Sequence, residues 1–186
     1  MEVAPYDVLF EPFKLKNVEV KNRIAMAPMN VCFTAPGHLV SKQQIAYYAA
    51  RAQGGAGLII IEAAGGTNHE TAKTYEAHNN LQLWFPYQAA GHAELAETIH
   101  TFGAKCIIQL SPGAGRQGSS EYSEVQTVAP SPIPWAPQEE MMPRGMTLET
   151  MASLIQLLGG HSTLLPDTPR EITIEEIEEA AKKIIE

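Results

Sequence analysis

Three side chains that could take part in chemistry or ligand binding stand at the ends of apolar segments. They are Cys32, Glu62 and Gln109. Glutamine carries a donor and an acceptor together, which suits the polar edge of a heteroaromatic ring. If the segments are neighbouring strands, Glu62 and Gln109 could point into one pocket; alternatively, each ends its strand at the solvent edge. Cys32 has no base identifiable in the sequence, so an inert thiol is favoured over a nucleophile.

A glycine motif indicates a second kind of chemistry. Residues 113–118 spell G-x-G-x-x-G just after a predicted strand, and Glu139 follows at about the spacing of a dinucleotide fingerprint. That fingerprint requires a helix to begin inside the motif, so that its N-terminus faces the pyrophosphate. Residues 119–122 lead towards prolines instead. A small nicotinamide-dinucleotide-binding domain is therefore one interpretation, and a flexible glycine loop is the favoured one.

Composition narrows the classes of function. The chain has 186 residues, of which 45% are hydrophobic and 18% are charged, as in an ordinary globular domain. A net charge of −8 without a basic cluster argues against nucleic acid and against a membrane surface as partners. We see neither a secretory signal nor an apolar run of membrane-spanning length, so we expect a cytoplasmic protein. Two cysteines and six scattered histidines predict no metal site.

The elements that would position these side chains alternate between strand and helix. We predict a β-hairpin in residues 9–20, strands at 23–28, 57–62 and 104–110, and helices at 41–53, 86–102 and from 173 to the last residue. Pro28 ends the first strand, because it has no N–H for the ladder. Ser41 and Gln44 form one helix capping box. Thr173 and Glu176 form another. The buried face of the helix at 86–102 is predicted to carry Ala89, His92, Ala93, Ala96, Ile99 and Phe102.

A long connection separates the last predicted strand from the last predicted helix. Residues 111–169 contain a proline-rich stretch and no clear strand, so we predict a long loop with an inserted helix at 147–158. The alternation elsewhere predicts an α/β fold. A (β/α)8 barrel typically needs about 250 residues, and three strand–helix units are readable here. The expected fold is therefore a partial (β/α)8 TIM barrel, incomplete without further strands.

Five motifs, taken in order, resemble the old yellow enzyme family of FMN-dependent ene-reductases and 2,4-dienoyl-CoA reductases. They are residues 9–15 with 21–29, residues 47–63, residues 103–110, residues 129–134 and residues 169–173. The resemblance covers nearly the whole chain but only about the first half of the family's barrel. It implies that residues 1–186 form the N-terminal part of a single FMN-binding (β/α)8 barrel.

The resemblance also implies roles for particular residues. The expected FMN-binding residues are Ala27, Pro28, Met29, Asn30, Glu62, Ala63 and Gln109. Ala63 would contact FMN through its backbone, and Gln109 would bond to the pyrimidine edge of the ring. On the substrate side stand Cys32, where some members place a tyrosine, and Arg116 at the pocket rim. The family's Gln-Leu-x-His-x-Gly-Arg motif is one residue longer here and lacks its histidine.

The chemistry implied by the resemblance transfers a hydride from NADH or NADPH to FMN, and then to an activated alkene such as an enone or enoyl compound. The family's histidine pair for the substrate carbonyl and its phosphate-binding loops lie beyond the segments matched here. One hypothesis is an N-terminal fragment or split half, active once a second chain or further strands complete the barrel. The alternative is a non-catalytic remnant that self-associates through its open edge. We expect no nucleic acid or membrane partner.

Overall fold

The computed structural model describes most of the chain and two compact units within it. Residues 6–65, 80–111, 113, 115–117, 120, 125–135, 145–147, 149–151, 153 and 168–185 are described. The first unit takes its residues from Met1–Ala64 and Asn80–Leu110, and the second from Gly65–Asn79 and Ser111–Glu186. Within the described residues, no helix is both long and apolar enough to cross a membrane.

The first unit begins with the predicted hairpin. Strands β1 (Phe13–Leu15) and β2 (Val18–Val20) pair antiparallel, with Phe13 opposite Val20. Between them Lys16 adopts a φ of 52°, a left-handed conformation typical of a tight hairpin turn. The hairpin prediction is confirmed.

Asn22, a buried side chain after the hairpin, connects two later parts of the unit. Its Oδ1 accepts a hydrogen bond from the Ile24 N–H at 3.1 Å, and its Nδ2 donates to the Gly55 carbonyl at 2.7 Å. A Cβ on Gly57 would collide with Asn22 Oδ1 and lie 2.8 Å from the Asn22 carbonyl oxygen, so the close approach requires a glycine at this position. Asn22 thereby places the start of the next strand beside the turn that follows the first helix.

The first strand–helix–strand unit follows the prediction, with one strand shorter and one longer. Strand β3 is only Ala25–Met26 and pairs in parallel with β4 (Leu58–Gly65). Helix α1 (Lys42–Gln53) connects them, and its predicted capping box is confirmed. The Ser41 Oγ accepts from the Gln44 N–H at 3.0 Å, and the Gln44 Oε1 accepts from the Ser41 N–H at 3.3 Å.

The sheet of the first unit is centred on β4. It pairs with β3, with β6 (Lys105–Ser111) and with a two-residue strand, β5 (Leu81–Gln82), which the sequence did not predict. Helix α2 (Pro86–Thr101) leads into β6 as expected. The core under the sheet includes Tyr48, Ala52, Ile59, Ile61, Leu81, Leu95 and Ile99.

The predicted buried face of α2 is partly wrong. Ala89 and Ala93 are exposed, and Leu95 is fully buried together with Ile99. Gln88 is also buried, because its side chain caps the start of α2 by accepting the N–H groups of residues 84 and 85. The face of α2 that packs against the core therefore carries Gln88, Leu95 and Ile99, and it is rotated away from the predicted stripe of small residues.

The second unit contains short elements from distant parts of the chain. Strand β7 (Val128–Ala129) pairs in parallel with β8 (Arg170–Glu171), and helix α3 (Ile174–Ile185) follows β8. The predicted capping box of α3 is confirmed, since the Thr173 N–H donates to Glu176 Oε2 at 2.8 Å and the Glu176 N–H donates to Thr173 Oγ1 at 3.2 Å. Neither β7 nor β8 was predicted.

The predicted inserted helix at 147–158 lies mostly outside the described residues. Its start is described: residues 149–151 are helical, and Thr147 Oγ1 accepts the Thr150 N–H at 3.2 Å. Thr147 therefore caps the start of this helix.

Candidate functional site

Glu62 lies inside its strand and not at the strand's end. β4 continues through the small residues after it to Gly65, and the Glu62 side chain is fully buried. The interpretation that Glu62 merely ends a strand at the solvent edge is therefore wrong. The prediction that it contacts a flavin stays a prediction.

The carboxylate of Glu62 connects three elements of the first unit. Its Oε2 accepts the Val31 N–H at 2.8 Å, and its Oε1 accepts a short hydrogen bond from Gln44 Nε2. The Glu62 backbone N–H donates to the Tyr48 hydroxyl at 2.9 Å. We call Glu62, Gln44, Tyr48 and the Val31 amide the Glu62 cluster. It fastens the loop after β3 and helix α1 to the central strand.

The residues after β3 form an accessible surface. Ala27 and Asn30 are exposed, Pro28 is half-buried, and 55% of Met29 is exposed. Met29 is a large apolar side chain three residues after β3, a strand whose two residues are exposed and half-buried, and this segment offers both backbone and apolar contact to a ligand. The four residues are thus accessible at the position where the sequence predicts a flavin.

Cys32 is held between two anchored neighbours. Val31 is bonded to Glu62, and the Phe33 ring packs edge-on against Tyr47 with 5.9 Å between centroids. Cys32 itself is exposed and adopts a φ of 54°, which is uncommon for a residue other than glycine. Burial, and then the charge of Glu62, raise the pKa of the Cys32 thiol above its ordinary value. A thiol held protonated in this way favours the inert interpretation.

Ala63 and Gln109 lie on the two strands that pair at the centre of the sheet. Ala63 is buried within β4. Along β6 the side chains alternate, and Gln109 is on the exposed side with Lys105 and Ile107. Glu62, Ala63 and Gln109 thus lie on paired strands of one sheet, and residues 27–30 follow its strand β3. Their contacts with FMN stay predictions.

Arg116 belongs to the second unit. Its Nε donates to the Ile133 carbonyl at 2.9 Å and its Nη2 to the Pro134 carbonyl at 3.0 Å, so it fastens the proline-rich segment. Its predicted place at a substrate pocket stays a prediction. In the glycine motif, Gly115–Gln117 form a single 3-10 turn, which is too short to supply the helix N-terminus of a dinucleotide site.

A second buried polar cluster was missed by the sequence reasoning. It consists of Asn80, Gln82, Gln88 and His92, and we call it the β5 cluster. Gln88 Nε2 donates to the Gly37 carbonyl at 3.3 Å, and the Asn80 carbonyl accepts from His38 Nδ1 at 2.9 Å. This cluster therefore holds the far end of the loop that Glu62 holds at Val31. One sequence signal could have indicated this cluster: the polar residues Asn80 and Gln82 flank Leu81 shortly before the start of α2.

The β5 cluster is incompletely paired. The backbone carbonyl of Gln82 accepts a hydrogen bond from His92 Nε2 at 3.2 Å. The side-chain oxygen Oε1 of Gln82 accepts another from Trp84 Nε1 at 2.8 Å. Among the described residues, three buried atoms of this cluster have no hydrogen-bond partner: Asn80 Oδ1, Gln82 Nε2 and His92 Nδ1. Burial lowers the pKa of the His92 imidazole, which the hydrogen bond to the Gln82 carbonyl partly opposes.

No metal site accompanies these clusters in the described part of the chain. There, no group of three or more His, Cys, Asp or Glu side chains could hold an ion.

Comparison with known proteins finds one family for nearly the whole chain. The model of the NADH:flavin oxidoreductase / NADH oxidase family matches residues 8–183. A curated relative, the NADH oxidase of Thermoanaerobacter brockii, is 34% identical over 179 residues, which is 96% of this chain and 23% of that protein.

Solved structures agree with the sequence comparison. The old yellow enzyme homologue from Zymomonas mobilis matches with a TM-score of 0.68 and 26% identity, over 94% of this chain and 42% of that one. Morphinone reductase, solved in complex with tetrahydroNAD, matches with a TM-score of 0.66 and 27% identity, over 94% of this chain and 43% of that one. The chain thus spans less than half the length of these relatives.

Proposed function

Because the chain belongs to the NADH:flavin oxidoreductase / NADH oxidase family, we propose that it forms the FMN-contacting N-terminal part of an NAD(P)H oxidoreductase of the old yellow enzyme type. The observation that carries the proposal is the match over residues 8–183. The sheet centred on β4 supports a partial (β/α)8 barrel. Completion of that barrel by further polypeptide, in the same chain or in a partner, is part of the proposal.

The accessible residues fit one side of a flavin. The exposed amide of Gln109 can donate and accept at once, as the pyrimidine edge of the ring requires. The segment from Ala27 to Asn30 supplies apolar and backbone contact, with Met29 exposed for packing. Ala63 offers only its backbone, because its side chain is buried. Glu62 is fully buried, and each of its carboxylate oxygens already accepts one protein hydrogen bond.

We assign these residues to binding and orientation. Bound FMN would supply the hydride chemistry, from NADH or NADPH to an activated alkene. Gln109 would fix the orientation of the flavin ring within its plane. The segment from Ala27 to Asn30, which we call the flavin wall, would exclude water from one side of the ring. Asn30, exposed beside Met29, would place a hydrogen-bonding amide near the ring. The alkene, an enone or enoyl compound, and a cytoplasmic location stay predictions.

Titration of FMN fluorescence against the purified protein tests the proposal. We expect quenching by the native protein, and about tenfold weaker binding by Gln109→Leu, because a ring-edge hydrogen-bond pair is lost. Gln53→Leu, at an exposed glutamine that ends α1, is the control and should bind FMN as the native protein does. Bleaching of the visible band by NADH or NADPH, and its recovery with 2-cyclohexenone, would extend the result to activity. A folded, self-associating protein that does not quench FMN would instead support the non-catalytic remnant.

A further inference from the structure

Glu62 is a buried carboxylate that no cation compensates within the described residues. The ion pairs there join other groups: Arg23 with Glu11, Lys42 with Glu94, and Arg170 with Glu176. A fully buried charge is costly unless hydrogen bonds satisfy it. Such a residue in a strand of otherwise apolar and small side chains calls for a reason beyond packing.

The two hydrogen bonds of the carboxylate run to two different elements. One oxygen binds the Val31 amide in the loop after β3, and the other binds the Gln44 side chain on α1. Gln44 is itself fixed, since its Oε1 caps α1 at the Ser41 N–H. A glutamine at position 62 could accept from only one of these donors, because its NH2 group would face the other.

The loop that Glu62 holds carries the proposed flavin wall. Val31 directly follows Asn30 and directly precedes Cys32, whose φ of 54° is unfavourable for a side chain with a Cβ. A conformation of this kind persists when its neighbours are fixed. Val31 is fixed by Glu62, and Phe33 by the aromatic contact with Tyr47, which in turn packs on Tyr48 at 5.2 Å.

We propose that Glu62 is a positioning residue for the flavin site: its buried carboxylate fixes the Val31 amide and so sets the course of the wall from Ala27 to Asn30. The inference rests on the proposed function, because it assigns that wall to FMN. It differs from direct flavin binding by Glu62, since the carboxylate acts through the loop. The Gln44 amide orients the carboxylate, and the Tyr48 hydroxyl fixes the backbone of Glu62.

Three variants test the proposal. Glu62→Gln replaces one acceptor by a donor, and the double variant Gln44→Glu with Glu62→Gln exchanges the two side chains. In the exchange, the new glutamine can accept the Val31 N–H and donate to the new glutamate, which still caps Ser41 as in an ordinary capping box. Glu97→Gln, at an exposed position of α2, is the control.

The first measurement needs no flavin. Amide hydrogen exchange at Val31, followed by NMR, should be about tenfold faster in Glu62→Gln than in the native protein, and restored in the exchanged pair. The control should exchange like the native protein. Unchanged exchange at Val31 in Glu62→Ala, which removes both acceptor oxygens, would overturn the proposal. The exchanged pair retains every hydrogen bond, so it keeps the test informative if Glu62→Gln alone fails to fold.

The second measurement adds FMN. We expect affinity about tenfold lower in Glu62→Gln, with a shifted visible band of the bound flavin, and recovery of both in the exchanged pair. Faster exchange at Val31 with unchanged FMN affinity and spectrum would make Glu62 a structural residue only and overturn the positioning role. If the native protein binds no FMN, the proposed function fails and the flavin role of Glu62 fails with it. The exchange at Val31 would then still show whether the carboxylate anchors the loop.

Discussion

The Glu62 cluster and the β5 cluster fasten opposite ends of the same loop, between β3 and α1, and they differ in how well they are paired. In the Glu62 cluster both carboxylate oxygens accept N–H donors. In the β5 cluster three buried polar atoms find no hydrogen-bond partner within the part of the chain that the structure describes. An unpartnered buried polar atom costs about 1–3 kcal/mol of stability. The loop is therefore fixed most firmly at Val31, next to the proposed flavin wall, and less firmly near Gly37.

This difference indicates which part of the loop is held in a single conformation. A satisfied buried polar network fixes one arrangement, because every alternative leaves a charge or an N–H unpaired. The Glu62 cluster uses such a network at Val31, the residue that directly follows the wall from Ala27 to Asn30. The β5 cluster leaves Gln82 and His92 with unused hydrogen-bonding capacity away from that wall.

Removing the carboxylate should have the largest effect. We expect Glu62→Ala to lower the free energy of unfolding by about 3 kcal/mol, because it leaves the Val31 and Gln44 donors unpaired beside a cavity. Urea denaturation measures this change. Glu97→Ala, exposed on α2, should stay within about 0.5 kcal/mol of the native protein. A loss below about 1 kcal/mol for Glu62→Ala would contradict the ranking of the two clusters.

The matching change in the β5 cluster should cost less. Gln88→Ala removes the acceptor that caps the start of α2 and the donor to the Gly37 carbonyl. We expect a loss of about 1.5 kcal/mol in urea denaturation, typical of a lost helix cap. Gln43→Ala, exposed in the first turn of α1, is the control and should be nearly neutral. A loss for Gln88→Ala larger than that for Glu62→Ala would reverse the comparison.

His92 should make the β5 cluster sensitive to acid. Its pKa is lower in the folded protein than in the unfolded chain, chiefly because of burial. The unfolded state therefore binds more protons as the pH falls through the ordinary pKa of histidine, and stability falls with it. The difference in unfolding free energy between native protein and His92→Gln should shift against the native protein from pH 7 to pH 5. A flat difference curve for His92→Gln would refute the prediction.

The smallest effect concerns the residue between the anchors of the loop. Cys32→Gly should stay within about 0.5 kcal/mol of native stability, since relief of the positive φ offsets the added freedom of the unfolded chain. Cys106→Gly is the comparison, because Cys106 is half-buried in β6 and packs against the core. It should cost about 1 kcal/mol or more by urea denaturation. Equal losses at the two positions would show that the Cys32 conformation carries no strain.

Local sequence signals predicted much of this fold. The capping boxes at Ser41 and Thr173 and the hairpin were found correctly, because each depends on residues a few positions apart. Strands β5, β7 and β8 were missed, because each has only two residues and forms through pairing with a distant strand. Such pairing leaves no periodicity in the sequence.

The sequence predicted which residues belong to the candidate site, but it did not predict their hydrogen-bond partners. The sequence marked Glu62 as a polar residue at the end of an apolar strand. It could not show that the carboxylate bonds to Val31 and Gln44, because these partners lie 31 and 18 residues away in the sequence, in a loop and in a helix. Gln109 was easier to place, since the alternation of β6 sets its exposed side. The pairing state of Gln82 and His92 had no local signal at all.

Hydrogen–deuterium exchange of the purified protein with and without FMN tests the central claim most directly. FMN should slow exchange in peptides that cover residues 27–31, 62–65 and 107–110, the ends of β3, β4 and β6. Exchange in peptides that cover α2 should be unchanged by FMN, so these peptides serve as the internal control. No protection in the three segments, or protection confined to residues 113–118, would contradict the assignment of the flavin site.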